Sequence, residues 1–350
     1  MILKFRCTAA LFVLISFTCL SQKTNYKAVK IESNFVADSP VTAASHAATL
    51  VEINPNEITA AWFGGKYEGA KDVGIYISSY KNKKWTTPQN IIKPLLKNGD
   101  TLPCWNPVLF KSKSSNLYLF YKVGKNPREW FGAMTVSTDN GKTWGESKYL
   151  PDGFLGPIRN KPIETTPGII ICGSSTESVD KNIWNVHVEE YIEATDSWKK
   201  IEIENPKNLE IIQPTFLIHS AKDIQMLSRS KHNKVVSSWS YDNGKSWEKT
   251  DTINVVNSNS GIDALTINKK LFLLVNNPLP QGKDWFYGRN ILDVEYSKDG
   301  LKWTKLFDLE NEEKGEFSYP AIIQTTDGKI HVLYTHDRKY IKHTSFELKQ

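Results

Sequence analysis

The chain has 350 residues, with 44 Lys and Arg against 38 Asp and Glu, a formal charge of +6, and 40% hydrophobic residues. Its lysines are scattered through turn sequences such as Lys81-Asn82-Lys83-Lys84 rather than gathered on one segment, which excludes a nucleic-acid footprint. Of four cysteines, Cys7 and Cys19 lie near the start; Cys104 and Cys172 are too far apart for metal-ligand spacing, so no metal and no cofactor are expected.

The chain opens with Lys4 and Arg6, an apolar stretch from Ala9 to Leu20 and then Ser21-Gln22, which reads as a secretory signal over residues 1–22. Removing it lowers the charge to about +4. Ser16-Phe17-Thr18 is bulky for a lipid-anchor site before Cys19, so a secreted or periplasmic protein is expected ahead of a lipid-anchored one. No later stretch approaches the length of a membrane span. An oxidising compartment leaves open a disulfide between Cys104 and Cys172. Residues 23–350 contain no Pro/Ser/Gly-rich linker and are expected to form one domain and a monomer.

Self-similarity decides the fold class. Ser137-Thr138-Asp139-Asn140-Gly141-Lys142-Thr143-Trp144 returns as Ser240-Tyr241-Asp242-Asn243-Gly244-Lys245-Ser246-Trp247, and again, one residue shorter, as Ser297-Lys298-Asp299-Gly300-Leu301-Lys302-Trp303. Runs of strand formers flank each copy, as in Lys234–Trp239 and Thr252–Val256, so the motif is a hairpin turn. Its Asp bonds turn backbone, Asn-Gly tolerates positive φ, and the Trp covers the hairpin. Trp85, Trp144, Trp198, Trp247 and Trp303 recur about every 50 to 60 residues, the length of one four-stranded blade with its loops. Five units are visible. A sixth would form from strands around Lys329–Tyr334 and Tyr340–Phe346 joined to Tyr26–Phe35. The prediction is an all-β, six-bladed β-propeller.

The pattern Ser-x-Asp-x-Gly-x-x-Trp resembles the Asp-box of the sialidase superfamily. That resemblance implies an exo-acting glycosidase removing a terminal acidic sugar from a glycan. The sugar carboxylate would be held by arginines, whose planar forks match it. A tyrosine assisted by a glutamate would be the nucleophile, and an aspartic acid the acid/base. Arg229, one strand before the second clean Asp-box, and Arg289, before the strand entering the third, match two substrate arginines. Tyr319 in Phe317-Ser318-Tyr319-Pro320 matches the nucleophile, and Asp72 falls where the acid/base is expected.

Two positions depart from the pattern. His46, in Ser45-His46-Ala47, stands where the family places its first arginine, and Gln213, in Ile212-Gln213-Pro214, where the assisting glutamate belongs. Gln cannot take a proton, which leaves Glu316 or Glu177 as the nearest usable carboxylates. The branch labelled predicted neuraminidases is similar in keeping Ser-His-Ala and Trp-Phe-Gly-Gly with Glu-Gly shortly after, here Trp62-Phe63-Gly64-Gly65 and Glu68-Gly69. His46 opens a second chemistry, since imidazole titrates near neutrality and can serve as acid or base toward uronate- or rhamnose-linked polysaccharide. A propeller that binds carbohydrate without reacting is a third reading. Arg159 and Lys161 form a small basic cluster for an acidic ligand, Trp105-Asn106 and Asn276-Asn277 are candidate sugar contacts, and His336, Arg338 and His343 carry no assignment.

Overall fold

A computed structural model describes residues 25–178, 183–284 and 286–350; the expected signal segment lies outside them. Among the described residues, six antiparallel sheets of four or five strands follow one another, with a two-stranded ribbon, Leu95–Lys97 and Asp100–Leu102, between the first two. Blade 1 comprises Ala44–Asn54, Glu57–Gly65, Gly74–Lys81 and Lys84–Trp85, with Gln89–Ile92 added beside the third strand. Blade 2 runs from Cys104–Lys111 to Lys148–Tyr149, blade 3 from Ile163–Thr166 to Ser197–Glu202, and blade 4 from Ile211–Ile218 to Asp251–Val256. Blade 5 runs from Asp263–Asn268 to Trp303–Asn311. In blade 6, Phe317–Gln324, Ile330–His336 and Tyr340–Lys349 are completed by the N-terminal strand Lys27–Phe35, which pairs Lys27 with Lys349 and Phe35 with Lys342. This is the closure expected from the sequence, and it joins the chain ends in one sheet.

Why the strands read as apolar runs rather than alternating ones is visible in the packing. Six hydrophobic clusters fill the six interfaces between neighbouring blades, so each blade is covered on both faces. Leu117–Val123 is buried throughout, its Leu119 facing the blade 1 cluster and its Phe120 the blade 3 cluster. Cys104 belongs to the interface of blades 1 and 2 and Cys172 to that of blades 2 and 3. Both thiols are free and buried, so the disulfide left open by the sequence does not form. Burial pushes the Cys104 thiol up to about 12.

The Asp-boxes are the hairpin turns expected of them. The Ser240 hydroxyl donates to Asp242 at 2.9 Å and accepts the Gly244 amide at 2.8 Å; Asp242 accepts the Ser246 amide and hydroxyl at 2.9 and 2.6 Å. Ser137, Asp139 and Thr143 repeat this set, and Ser297 and Asp299 a shortened one. Asn243 and Gly244 take φ of 66° and 86°, as the turn requires.

At one end of the axis the inner strands share a different irregularity. The pairing register slips after His46 in blade 1, after Trp105 in blade 2, after Ile212 in blade 4 and after Ser318 in blade 6. Ala47, Asn106, Gln213 and Tyr319 there have φ of 52°, 39°, 58° and 53°. Each is a β-bulge, which breaks the ladder and re-aims a side chain. In three of them proline follows, as Pro107, Pro214 and Pro320, and supplies no N–H to the interrupted ladder. A non-glycine residue held in this region stores about 1–3 kcal/mol, which surrounding packing must offset.

The loop carrying Arg159 is gripped from two blades. Glu189 of blade 3, fully buried, accepts the Leu155 amide at 3.1 Å, the Gly156 amide at 2.6 Å and His187 Nε2 at 2.7 Å. Lys122 of blade 2, also fully buried, donates to the Pro157 carbonyl, and desolvation lowers its ammonium to about 7. Glu189→Ala would strand buried amides and destabilise the fold by about 2–4 kcal/mol, read by denaturant titration, with faster amide exchange at Leu155 and Gly156; unchanged protection there would contradict the clamp.

Acid should weaken blade 6 in a defined window. His331 and His343 share a proton between Nδ1 and Nε2 at 2.9 Å, and burial lowers them to about 4 and about 3 from an ordinary 6.5. The unfolded chain therefore binds protons first as pH falls below 6.5, and stability drops from there toward pH 4. Urea midpoints at pH 7 and pH 5 should differ less in His343→Gln than in wild type; equal differences would exclude this pair as a source.

Candidate active site

The bulged inner strands bring Tyr319, Gln213 and His46 together at the axis. The Tyr319 hydroxyl accepts from Arg229 Nη1 at 3.1 Å and from Gln213 Nε2 at 3.4 Å. The His46 ring lies 4.2 Å from the Tyr319 ring, centroid to centroid, and edge-on to Phe63. Gln213 thus stands beside the tyrosine, as its sequence position implied. Among the described residues no carboxylate hydrogen-bonds the Tyr319 hydroxyl; Glu316 is instead engaged by Arg289, Arg338 and Ser318.

Four arginines from three blades and one interblade loop surround this group. Arg229 ends the second strand of blade 4 and lies 5.5 Å from the ring centroids of both Tyr319 and Trp184. Arg159, from the gripped loop, lies 5.3 Å from the Tyr319 centroid and donates to Asn160 and to the Ile262 carbonyl. Arg289, before the third strand of blade 5, pairs with Glu316 at 3.1 Å and reaches the Asn259 carbonyl at 3.2 Å. Arg338, in the turn after Ile330–His336, binds the other oxygen of Glu316 at 2.7 Å and also Glu68.

The electrostatics follow from this crowding. Burial, then repulsion from Arg338, Arg289, Arg159 and Arg229, holds the His46 imidazole well below 6.5, so it is neutral at physiological pH. Neither of its ring nitrogens has a partner among the described residues, although the residue is only 2% exposed. Burial alone would raise the Tyr319 phenol, and Glu68 adds to that, but Arg229, Arg289 and the Gln213 hydrogen bond outweigh both and bring it below 10. Burial pushes Arg159 down to about 10, still charged at neutrality. Arg159 and Arg229 make no ion pair among the described residues, while Arg159 Nε and Nη2, Arg229 Nε and Gln213 Oε1 are buried without partners. Buried polar groups are nearly always satisfied, so this concentration marks a surface built to receive a ligand.

The other candidates fall outside the cluster or support it. Lys161 is held by Asp263 at 2.8 Å and by the Ala264 carbonyl at 2.8 Å. Asp72 is exposed in the loop 66–73, where both carboxylate oxygens accept the Lys66 amide at 3.1 Å. Trp105 donates to the Gly124 carbonyl at 2.7 Å and packs under Gly69 of that loop. Asn276 and Asn277 bond backbone within and between blades 4, 5 and 6. Glu177 is raised by burial against the pull of Arg229, Arg128 and Lys231. Sequence reasoning left Arg338 unassigned and gave Glu68 no role beyond its Glu-Gly motif; the available signal was that Arg338 follows the second strand of its blade much as Arg229 lies near the end of the second strand of its own. His343 lies in the blade 6 pair described above, and His336 packs on Phe317 and Phe35.

A model of the BNR repeat-like domain matches residues 56–332. No curated protein sequence matches the chain. Among solved structures, the NanB sialidase of Streptococcus pneumoniae superposes with a TM-score of 0.68 at 14% identity, covering 90% of this chain and 70% of that one. A protein of unknown function from Dyadobacter fermentans gives 0.73 at 14% identity, covering 93% and 99%. Trypanosoma rangeli sialidase in complex with sialic acid gives 0.64 at 15% identity, covering 88% and 55%. At such identities the likeness is one of fold. The family match over most of the chain, together with Asp-box turns on a six-bladed propeller, places this protein in the BNR repeat-like domain family of the Asp-box, sialidase-like superfamily.

Proposed function

We propose that this protein is an exo-acting glycosidase that removes a terminal acidic sugar from a glycan, acting as a monomer outside the cytoplasm. The observation that carries the reading is the convergence of Arg159, Arg229, Arg289 and Arg338 on Tyr319 and His46, with two of the four guanidiniums free of ion pairs among the described residues. A sugar carboxylate supplies the missing negative charge, and planar guanidiniums hold it in two-point fashion. A carboxylate nucleophile would be repelled by that anion, whereas a phenolate approaches it at lower cost.

In this reading Tyr319 attacks the anomeric carbon as the glycosidic C–O bond breaks, and Asp72 passes its proton to the leaving oxygen. Water then attacks the glycosyl-tyrosine, returning its proton to Asp72 and releasing the phenolate. The charge of Arg229 and Arg289 replaces the glutamate that Gln213 cannot be, by favouring the ionised phenol rather than by taking its proton. Gln213 orients the oxygen.

A second reading is favoured by one observation: His46 is buried and neutral beside the tyrosine, and its ring nitrogens have no hydrogen-bond partner among the described residues. It can then act as acid or base on a uronate-linked substrate with Tyr319 only as a wall.

Release of product from fluorogenic sialosides and uronosides separates the two. With Tyr319 as nucleophile, Tyr319→Phe falls by at least about 10²-fold while His46→Ala retains measurable turnover; with His46 as acid/base, His46→Ala alone loses about 10²–10⁴-fold, on uronosides. No turnover of either class would leave only the binding role. The pH profile gives an independent check. A nucleophilic Tyr319 makes kcat/KM rise with pH along a limb below pH 10, and Arg229→Met, by removing a lowering charge, moves that limb upward; an unmoved limb excludes the phenol as its source.

A further inference from the structure

A second cavity, of about 380 Å³, opens at the end of the axis opposite the arginine cluster. The inner strands of blades 1, 2 and 6 run away from that cluster. Glu52 therefore stands six residues beyond His46 in Ala44–Asn54, and Lys111 six beyond Trp105 in Cys104–Lys111, about 20 Å away at the rise of an extended chain. Gln324 of blade 6 and Lys161-Pro162, entering blade 3, complete the walls. The volume lies within the range of small-molecule sites, roughly 300–1,000 Å³. We propose that this cavity binds a tetrahedral oxyanion, a phosphate or sulfate group, between Lys111 and Lys113. The site is separate from the arginine cluster and stands whether or not that cluster takes an acidic sugar.

Two ammoniums at this mouth are held in place without a counter-charge. Lys111 Nζ donates to the Ile53 carbonyl of blade 1, and Lys113 Nζ to the Thr165 carbonyl of blade 3 at 3.4 Å. Each thus reaches from blade 2 to a neighbouring blade, and neither makes an ion pair among the described residues. A carbonyl fixes an ammonium without neutralising it and uses one of its three N–H donors. Ammoniums pinned in this way lose less freedom when an anion arrives than solvated ones do. The carboxylates nearby are committed to neutral donors. Glu52 accepts the Thr326 amide and hydroxyl, both at 2.9 Å, and the Asn56 amide at 3.1 Å. Glu164, which does not line the cavity, accepts the Lys113 and Gly168 amides at 2.6 and 2.8 Å. Lys161, neutralised by Asp263 at 2.8 Å, gives a second donor to the Ala264 carbonyl and keeps a third at the inner end. Donors that arrive from several sides suit oxygens set out tetrahedrally better than the two coplanar oxygens of a carboxylate. Lysine meets such an anion as a point charge and needs no fork geometry. Leu50, Leu109, Phe110 and Ile323 supply an apolar wall on the remaining side, where excluded water strengthens the attraction.

The test adds inorganic phosphate, sulfate or glucose 6-phosphate to the full chain at constant ionic strength and follows backbone amides by NMR. At least one of these should move the amides of Val51, Lys111 and Gln324 saturably, while chloride at the same ionic strength leaves them in place. Lys111→Met and Lys113→Met should each weaken that binding by roughly tenfold. Arg229→Met, at the other end of the axis, should leave it unchanged, because any anion held by the arginine cluster shifts a different set of amides. Lys113 is exposed, so its variant is expected to fold, and a thermal melt checks both. Tighter binding of glucose 6-phosphate than of inorganic phosphate would identify an esterified group whose sugar uses the apolar wall; equal or weaker binding would identify the free anion. Shifts confined to the arginine cluster, shifts reproduced by chloride, or an affinity indifferent to both lysines would overturn the site.

Discussion

Positive charge concentrated where water is scarce governs the rest of this structure. Arg159, Arg229, Arg289 and Arg338 all bear on His46, and among the described residues only Glu316 and Glu68 are in ion-pair contact with any of them. Holding unpaired guanidiniums in a buried site costs several kcal/mol apiece, so the fold must impose the arrangement. It does so with a closed ring, six filled interfaces and bulges held at positive φ. Burial first, and then this same charge, keeps the imidazole neutral, and the charge lets the phenol ionise more readily than its burial alone would allow.

Glu316 shows how the ring tolerates this. Its two oxygens are divided between Arg289 and Arg338, and Ser318 donates to one of them, so it fixes two guanidiniums in place and is spent in doing so. A carboxylate so engaged is poorly placed to accept a phenolic proton. At Gln213 a neutral amide stands next to Tyr319, and its hydrogen bond acts with Arg229 and Arg289 to lower the phenol against burial.

Much of the fold was legible because it repeats. Ser137–Trp144 and Ser240–Trp247 announce hairpins, the spacing of five tryptophans announces blades, and the closing strand follows from the cost of an open edge. Of the candidate site, Arg229, Arg289 and Tyr319 could be singled out in the sequence only because they resemble a known pattern. Arg338 was not, because its partner Glu68 lies 270 residues away and meets it only through ring closure, while Glu316, 22 residues away, meets it only once Phe317 pairs with His336 in blade 6. Lys161 looked like a ligand residue beside Arg159, yet Asp263, distant in sequence, neutralises it. Bulges at Asn106-Pro107, Gln213-Pro214 and Tyr319-Pro320 were written in the sequence as a recurring residue-before-proline in inner strands; their shared left-handed φ is a property of the ring and could not be read from any one copy.

The central claim is that the axis of the propeller recognises a carboxylate on a sugar. Titration calorimetry of N-acetylneuraminic acid and glucuronic acid beside their methyl esters tests it most directly, since esterification removes the charge and keeps the ring. The account predicts that at least one acid binds, that its ester does not, and that Arg229→Met abolishes the difference. Equal binding of acid and ester, or binding indifferent to Arg229, would contradict it.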